Sequence, residues 1–136
     1  MTPGLATKLR FGLVGVANTL VDLALYAVLS LAGVPLFPAN LVSTTAGMAC
    51  SFTLNRGFTF RARAGDVRAQ AVLFFAVTAF GLWLVHPVVI ALTADLFTGA
   101  HPVVATTGPK ICALVFGLAW NYLLYSKVVF RPKEAA

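Results

Sequence analysis

The chain has 136 residues, of which 60% are hydrophobic and only 10% charged, with a formal net charge of +6. A soluble domain carries about 25% charged residues, and here the apolar residues lie in long blocks rather than at the spacing of one amphipathic helix or strand face. That excludes a soluble globular enzyme and predicts an all-α integral membrane protein.

The N-terminal "MTPGLATKLR" is basic and precedes an apolar block, as in a signal peptide. The block is too long for an h-region and no small-x-small cleavage site closes it, so it reads as a retained first span. Residues 11–32 contain a single charge, Asp22, and as a helix would reach about 33 Å. "GVPLFP" then breaks the pattern with Gly33, Pro35 and Pro38. A second span of about 27 Å covers residues 38–55, with Pro38 at a helix start where its missing N–H is harmless. Residues 56–69 read as a polar loop with four arginines. Residues 70–93 form the third span, interrupted by Pro87, with His86 beside it as a kink marker or a proton-transfer group. "ADLFTGAHPVVATT" connects it to the fourth span, residues 108–126. The tail "KVVFRPKEAA" is short and polar, so no soluble domain is expected and residues 1–136 read as a single transmembrane domain. The two cysteines, Cys50 and Cys112, fall in apolar segments where a thiol behaves as a small hydrophobe.

Nine of the ten cations fall on one side of these four spans: Lys8 and Arg10, then Arg56, Arg61, Arg63 and Arg68, then Lys127, Arg131 and Lys133. The positive-inside bias places both termini and the middle loop in the cytoplasm, as a multi-pass protein of the cytoplasmic (inner) membrane. The basic balance then belongs to a membrane face, and nucleic acid is not an expected partner. Phe58, Phe60, Tyr122, Tyr125 and Phe130 fall at the same level, as interfacial aromatics do. For Arg56, Arg61, Lys127 and Arg131, with Asn55 beside them, topology and lipid anchoring stand next to recognition of a lipid phosphate.

The endings "SFTLNRGFTFR" and "NYLLYSKVVFR" are alike at an offset of 70. Ser43, Gly47, Ser51, Phe52, Leu54, Phe60 and Arg61 meet Ala113, Gly117, Asn121, Tyr122, Leu124, Phe130 and Arg131, and Asn40 meets Lys110. The chain therefore reads as a duplicated hairpin, two parallel two-helix repeats with a pseudo-symmetry axis along the membrane normal. Ser43, Gly47, Ser51 and Asn55 recur every four residues, as do Ala113, Gly117 and Asn121, a spacing that suits close helix packing; Gly12, Gly15 and Thr19 offer a similar face on span one.

Two charges lie within the apolar blocks. Asp22 is about 16 Å beyond Phe11, near the midplane, where an ionised carboxylate costs roughly 2.5 to 3.5 kcal/mol and must face protein, water or a cation. "NTLVD" puts Asn18, Thr19 and Asp22 close together. Lys110 enters span four two residues after Gly108, near the external surface, within reach of water by snorkelling. The functional alternative is a polar cavity between the repeats in which Asn18, Thr19, Asp22, Asn40 and Lys110 contact a polar solute. Trp83 and Trp120 sit inside their spans, suited to packing or to a lipid chain. No catalytic triad, metal-spaced Cys/His cluster or glycine-rich phosphate loop is present in the sequence, so neither an enzyme nor a cofactor is expected.

"RFGLVGVANTLVDLALYAVL", "ANLVSTTAGMACSFTLNRGFTFR" and "WNYLLYSKVVF" together resemble the GtrA-like family of small four-span membrane proteins. The resemblance implies movement of a polyprenyl-phosphate-linked monosaccharide across the cytoplasmic membrane for polysaccharide or cell-envelope glycosylation. It carries over onto Asn18, Thr19, Asp22, Asn40, Asn55, Arg56 and Lys110. Span three departs, because "FFAVTAFGLWL" has no asparagine or acid. Expected partners are the sugar lipid, membrane lipids, a second copy of the chain or a larger assembly, and a glycosyltransferase. Two rivals are a small proton-coupled drug or cation exporter using Asp22, and a non-transporting scaffold for a glycosyltransferase.

Overall fold

The computed structural model describes residues 3–131, so Lys133 and the end of the tail lie outside the described residues. Among the described residues every regular element is helical, and the chain falls into two compact units, Met1–Gly65 and Asp66–Ala136. Each unit is a hairpin.

The first hairpin pairs α1 (Pro3–Leu31) with α2 (Leu36–Leu54). α1 starts eight residues before the expected span, so Lys8 and Arg10 ride on the helix instead of preceding it. Its 29 residues reach about 43 Å, more than the roughly 30 Å of bilayer hydrocarbon, so the helix is long enough to span without the turns that carry Lys8 and Arg10. Gly33 ends it in a left-handed conformation (φ 83°), where the Val34 N–H bonds the Leu29 carbonyl (3.0 Å) and the Gly33 N–H that of Ser30 (3.1 Å). This six-to-one and five-to-two pairing satisfies the last carbonyls and turns the chain for Pro35 to start α2.

α2 does not stop at Asn55. It runs into a π turn, Asn55–Thr59, closed by the Phe60 N–H on the Asn55 carbonyl (2.9 Å). Arg61 then takes a left-handed conformation (φ 52°) and the Ala62 N–H bonds the Arg56 carbonyl (2.8 Å).

The second hairpin runs α3 (Val67–Phe80), a π turn (Gly81–Val85), α4 (His86–Thr93), a short 3-10 turn (Ala94–Phe97), and α5 (Pro102–Leu124) with its own π turn (Tyr125–Val129). Asp66 caps α3, its Oδ1 accepting from the backbone N–H groups of Arg68 (2.8 Å) and Ala69 (3.4 Å), so the expected loop is shorter and Arg68 is helical. Pro87 does not interrupt the helix. A proline ring would meet the carbonyl four residues back, and the π turn just before it widens the helix there, with the His86 N–H bonding the Gly81 carbonyl.

α5 begins at Pro102, six residues earlier than the sequence suggests. Within this stretch, which reads as loop, Thr106 and Thr107 donate back to the carbonyls of Pro102 (2.9 Å) and Val103 (2.7 Å), so their hydroxyls are satisfied inside the helix. Lys110 is therefore eight residues, about 12 Å, inside the helix rather than at its mouth.

The duplication is visible in the packing. The buried positions along α2 and its π turn, Ala39, Ser43, Gly47, Asn55 and Thr59, correspond at the same offset to Pro109, Ala113, Gly117, Tyr125 and Val129 in the second hairpin. Both closing π turns begin at matched residues, and the Phe130 N–H on the Tyr125 carbonyl (2.8 Å) repeats the Phe60–Asn55 bond. Tyr125 (3% exposed) and Phe130 (1%) do not form an interfacial belt. They make the second hairpin's core with Phe74, whose ring stacks on Tyr125 at 4.6 Å.

Among the described residues three helical segments are long and apolar enough to cross a membrane: Gly4–Leu31, Val67–Phe97 and Pro102–Val129. α2, with 19 residues including Asn40, Ser43, Thr44, Thr45, Ser51 and Thr53, is not among them. Several of its hydroxyls bond their own helix: Ser43 donates to the Asn40 carbonyl (3.1 Å), Thr45 to Leu41 (2.7 Å) and Thr53 to Ala49 (2.8 Å). This lowers the cost of taking them out of water.

Candidate functional site

In the first hairpin, α1 and α2 approach closely where Gly47 faces Asn18 and Asp22. A Cβ at position 47 would lie 2.6 Å from Asn18 Oδ1 and 3.3 Å from Asp22 Cβ. The two polar residues are one helical turn apart and share the face that meets α2. Both are half-buried, so an amide and a carboxylate stand together within the apolar length of the helix. Thr19 does not join them: it is exposed and donates to the Gly15 carbonyl (3.0 Å). Asn40 is exposed on α2, and its repeat counterpart Lys110 is exposed on α5. Gly12 and Gly15 have open space around them and serve no packing face within the hairpin.

The second hairpin has a matching arrangement that the sequence hid. Gly117, the counterpart of Gly47, faces His86, whose imidazole occupies the space a Cβ would need. His86 thus fills the place on Gly117 that Asn18 fills on Gly47. The first helices align with a different offset from the second ones, so a comparison at the single offset of 70 misses it. Nearby, Trp120 stacks on Phe80 (5.2 Å) and donates Nε1–H to the Val77 carbonyl (3.2 Å). Trp83 is 81% exposed.

At the open end of the first hairpin the cations are unevenly committed. The Arg56 guanidinium donates to the carbonyls of Arg63 (2.8 Å) and Gly65 (3.0 Å), which ties the loop to the π turn. Arg10 lies over the Phe58 ring (5.4 Å), and Phe11 meets Phe60 (6.3 Å). The side chain of Arg63 lies over Gly57, where a Cβ would be 2.9 Å from Nη2. Arg61 is exposed. Asn55 belongs to the interior instead: it is 1% exposed and its Nδ2 donates to Ser51 Oγ (3.2 Å). In the second hairpin Lys127 and Arg131 are exposed.

Each hairpin therefore offers polar groups within its apolar length and cations at its open end. The family model described as "GtrA/DPMS, transmembrane domain" matches residues 10–130, across both hairpins. The chain belongs to this family. It is also similar to the "Uncharacterized membrane protein YngA" of Bacillus subtilis (strain 168), with 43% identity over 51 residues. That stretch covers 38% of this chain and 34% of the relative, so the chain spans about a third of the length of the curated protein it matches. The GtrA/DPMS assignment makes this a membrane protein, in accord with its three long apolar helices.

Proposed function

We propose that this GtrA/DPMS protein is a non-catalytic flippase, moving a polyprenyl-phosphate-linked monosaccharide across the cytoplasmic membrane for polysaccharide or cell-envelope glycosylation. In this reading α2 is a fourth span, and both termini and the Arg56–Arg68 loop face the cytoplasm. The protein works as a homodimer or larger assembly, with a glycosyltransferase as partner. The observation that carries the proposal is ionisable side chains, Asp22 and Lys110, well inside helices apolar enough to span. A membrane pathway for a polar solute needs such groups, and a simple anchor does not.

The substrate's polyprenyl tail stays in lipid, while its phosphodiester and sugar need shelter. Cations at the open ends collect the phosphate. Asn18 and Asp22 accept sugar hydroxyls, and Lys110, set deeper than its place in the sequence suggests, holds the anion part-way across. Of the basic residues, Arg61, Lys127 and Arg131 suit phosphate best, because the Arg56 guanidinium already binds two loop carbonyls.

Arg61 separates binding from folding. Its left-handed backbone is one that glycine adopts freely, so Arg61→Gly should leave stability unchanged or raise it by up to about 1 kcal/mol. The same change should weaken binding of polyprenyl phosphate and flatten its salt dependence. Unaltered affinity in Arg61→Gly would return this arginine to topology alone.

The orientation has its own test. In a background lacking Cys50 and Cys112, cysteine at Gly65 should react with an impermeant thiol reagent only from the cytoplasmic side, and cysteine at Ala100 only from outside. Ala100 is preferred to Gly99, whose φ of 83° disfavours any side chain. External labelling at position 65 would overturn the proposed orientation.

A further inference from the structure

The motif residues "NRGFT" at the end of α2 have visible structural tasks, with two exceptions. Arg56 ties the loop, Gly57 admits the Arg63 side chain and Phe58 carries Arg10. Asn55 Oδ1 and Thr59 Oγ1 are buried and have no hydrogen-bond partner, in residues 1% and 2% exposed. They lie on the same π turn, four residues apart.

Thr59 departs from the habit of this protein. Seven other threonines, at 19, 45, 53, 78, 93, 106 and 107, donate to the carbonyl four residues back. At Thr59 the π turn shifts the register, so that the Asn55 carbonyl accepts from the Phe60 N–H. Buried polar groups are almost always paired, so two orphans on one turn mark a place for a guest.

The chemistry of the guest is narrow. Ser51 meets one polar atom of the Asn55 amide, so either orientation of that amide leaves the other unpaired. A group that both donates and accepts satisfies both orientations and the Thr59 hydroxyl as well. A phosphate oxygen only accepts, so it suits the Thr59 hydroxyl and one orientation of the Asn55 amide but confronts Oδ1 in the orientation that bonds Ser51 through Nδ2. A metal cation is opposed by Arg10, Arg56, Arg61 and Arg63 in the same hairpin.

We propose that Asn55 and Thr59 form a hydroxyl-binding subsite at the π turn, occupied by water at rest and by a sugar hydroxyl when the lipid-linked substrate is bound. The sugar half of this inference rests on the function proposed above. It also takes Asn55 out of the phosphate site and gives it to the sugar.

The test uses the full chain in nanodiscs. Thr59→Val keeps the shape and removes only the hydroxyl, and Thr59→Ser keeps the hydroxyl. If the subsite is occupied, Thr59→Val lowers the thermal midpoint by several degrees and Thr59→Ser retains most of it. If the oxygens are empty, removing an unpaired buried hydroxyl raises the midpoint in Thr59→Val, and the proposal is overturned. Binding of two probes, polyprenyl phosphate with and without one hexose, identifies the guest. Wild type should prefer the hexose form by about fivefold, the worth of one hydrogen bond. Loss of that preference in Thr59→Val supports a sugar hydroxyl. An unchanged preference with a lowered midpoint leaves a water-only subsite and overturns the sugar half. A lowered midpoint in a protein whose wild type binds neither probe sinks the proposed function while the water site stands.

Discussion

Gly47→Leu is expected to cost the first hairpin about 3 kcal/mol or more, a large part of the stability of an ordinary domain. At position 47 even a Cβ falls 2.6 Å from Asn18 Oδ1 and 3.3 Å from both the Asn18 carbonyl oxygen and Asp22 Cβ. Two of those three neighbours cannot swing away: one is backbone and another is the first carbon of a side chain. A leucine must therefore push α1 from α2 and pull the amide and the carboxylate apart. Gly12→Ala, on the same α1, is the control. Nothing lies within 4 Å of a Cβ there, and alanine is the better helix former by about 1 kcal/mol. Thermal unfolding of the two variants in the same nanodiscs should show a large loss for position 47 and none for position 12. Equal stability would mean that the close approach of α1 and α2 at Gly47 does not hold the hairpin.

Asp22→Asn should reduce sugar-lipid flipping by tenfold or more, on the order of 1.4 kcal/mol or more on the barrier, while leaving the hairpin folded. The amide has nearly the shape of the carboxylate and its Cβ still meets Gly47, so the helix contact survives. What changes is the acceptor. An ionised carboxylate offers two oxygens to sugar hydroxyls and bonds them more strongly than a neutral amide does. Lys110→Ala should instead weaken binding of the anionic lipid, and Lys110→Arg should keep much of it, because a cation remains about 12 Å inside α5. A full flipping rate in Asp22→Asn would reduce Asp22 to a structural group.

Much of this was legible in the sequence, and the failures have physical causes. Apolar blocks revealed helices because a lipid-facing helix needs apolar residues all round, which no pattern of surface charges obscures. The duplicated second helices were visible because Gly47 and Gly117 must both stay small. The face shared by Asn18 and Asp22 followed from helical spacing alone. π turns are a different matter. Their one-residue register shift leaves no composition signal, so Tyr125 and Phe130 read as interfacial aromatics although they are the second hairpin's core. Pro87 read as a break because the widened turn that accommodates it depends on residues 81–85, not on the proline. The start of α5 was hidden by Thr106, Thr107, Gly108 and Pro109, a loop-like composition whose hydroxyls are nevertheless satisfied on the helix's own carbonyls. His86 was missed as the counterpart of Asn18 because the first helices of the two hairpins do not share the offset of the second ones.

Reconstitution shows whether this GtrA/DPMS protein moves a lipid-linked sugar. A polyprenyl-phosphate hexose with a fluorescent label is placed in both leaflets of proteoliposomes, and an impermeant quencher reports how fast the inner pool reaches the surface. Wild-type protein, shown to be folded in the same vesicles, should empty the inner pool well ahead of protein-free vesicles and should leave a labelled phospholipid of equal charge behind. A folded wild-type protein that leaves the sugar-lipid rate at the protein-free value would rule out flipping and leave a scaffold in its place.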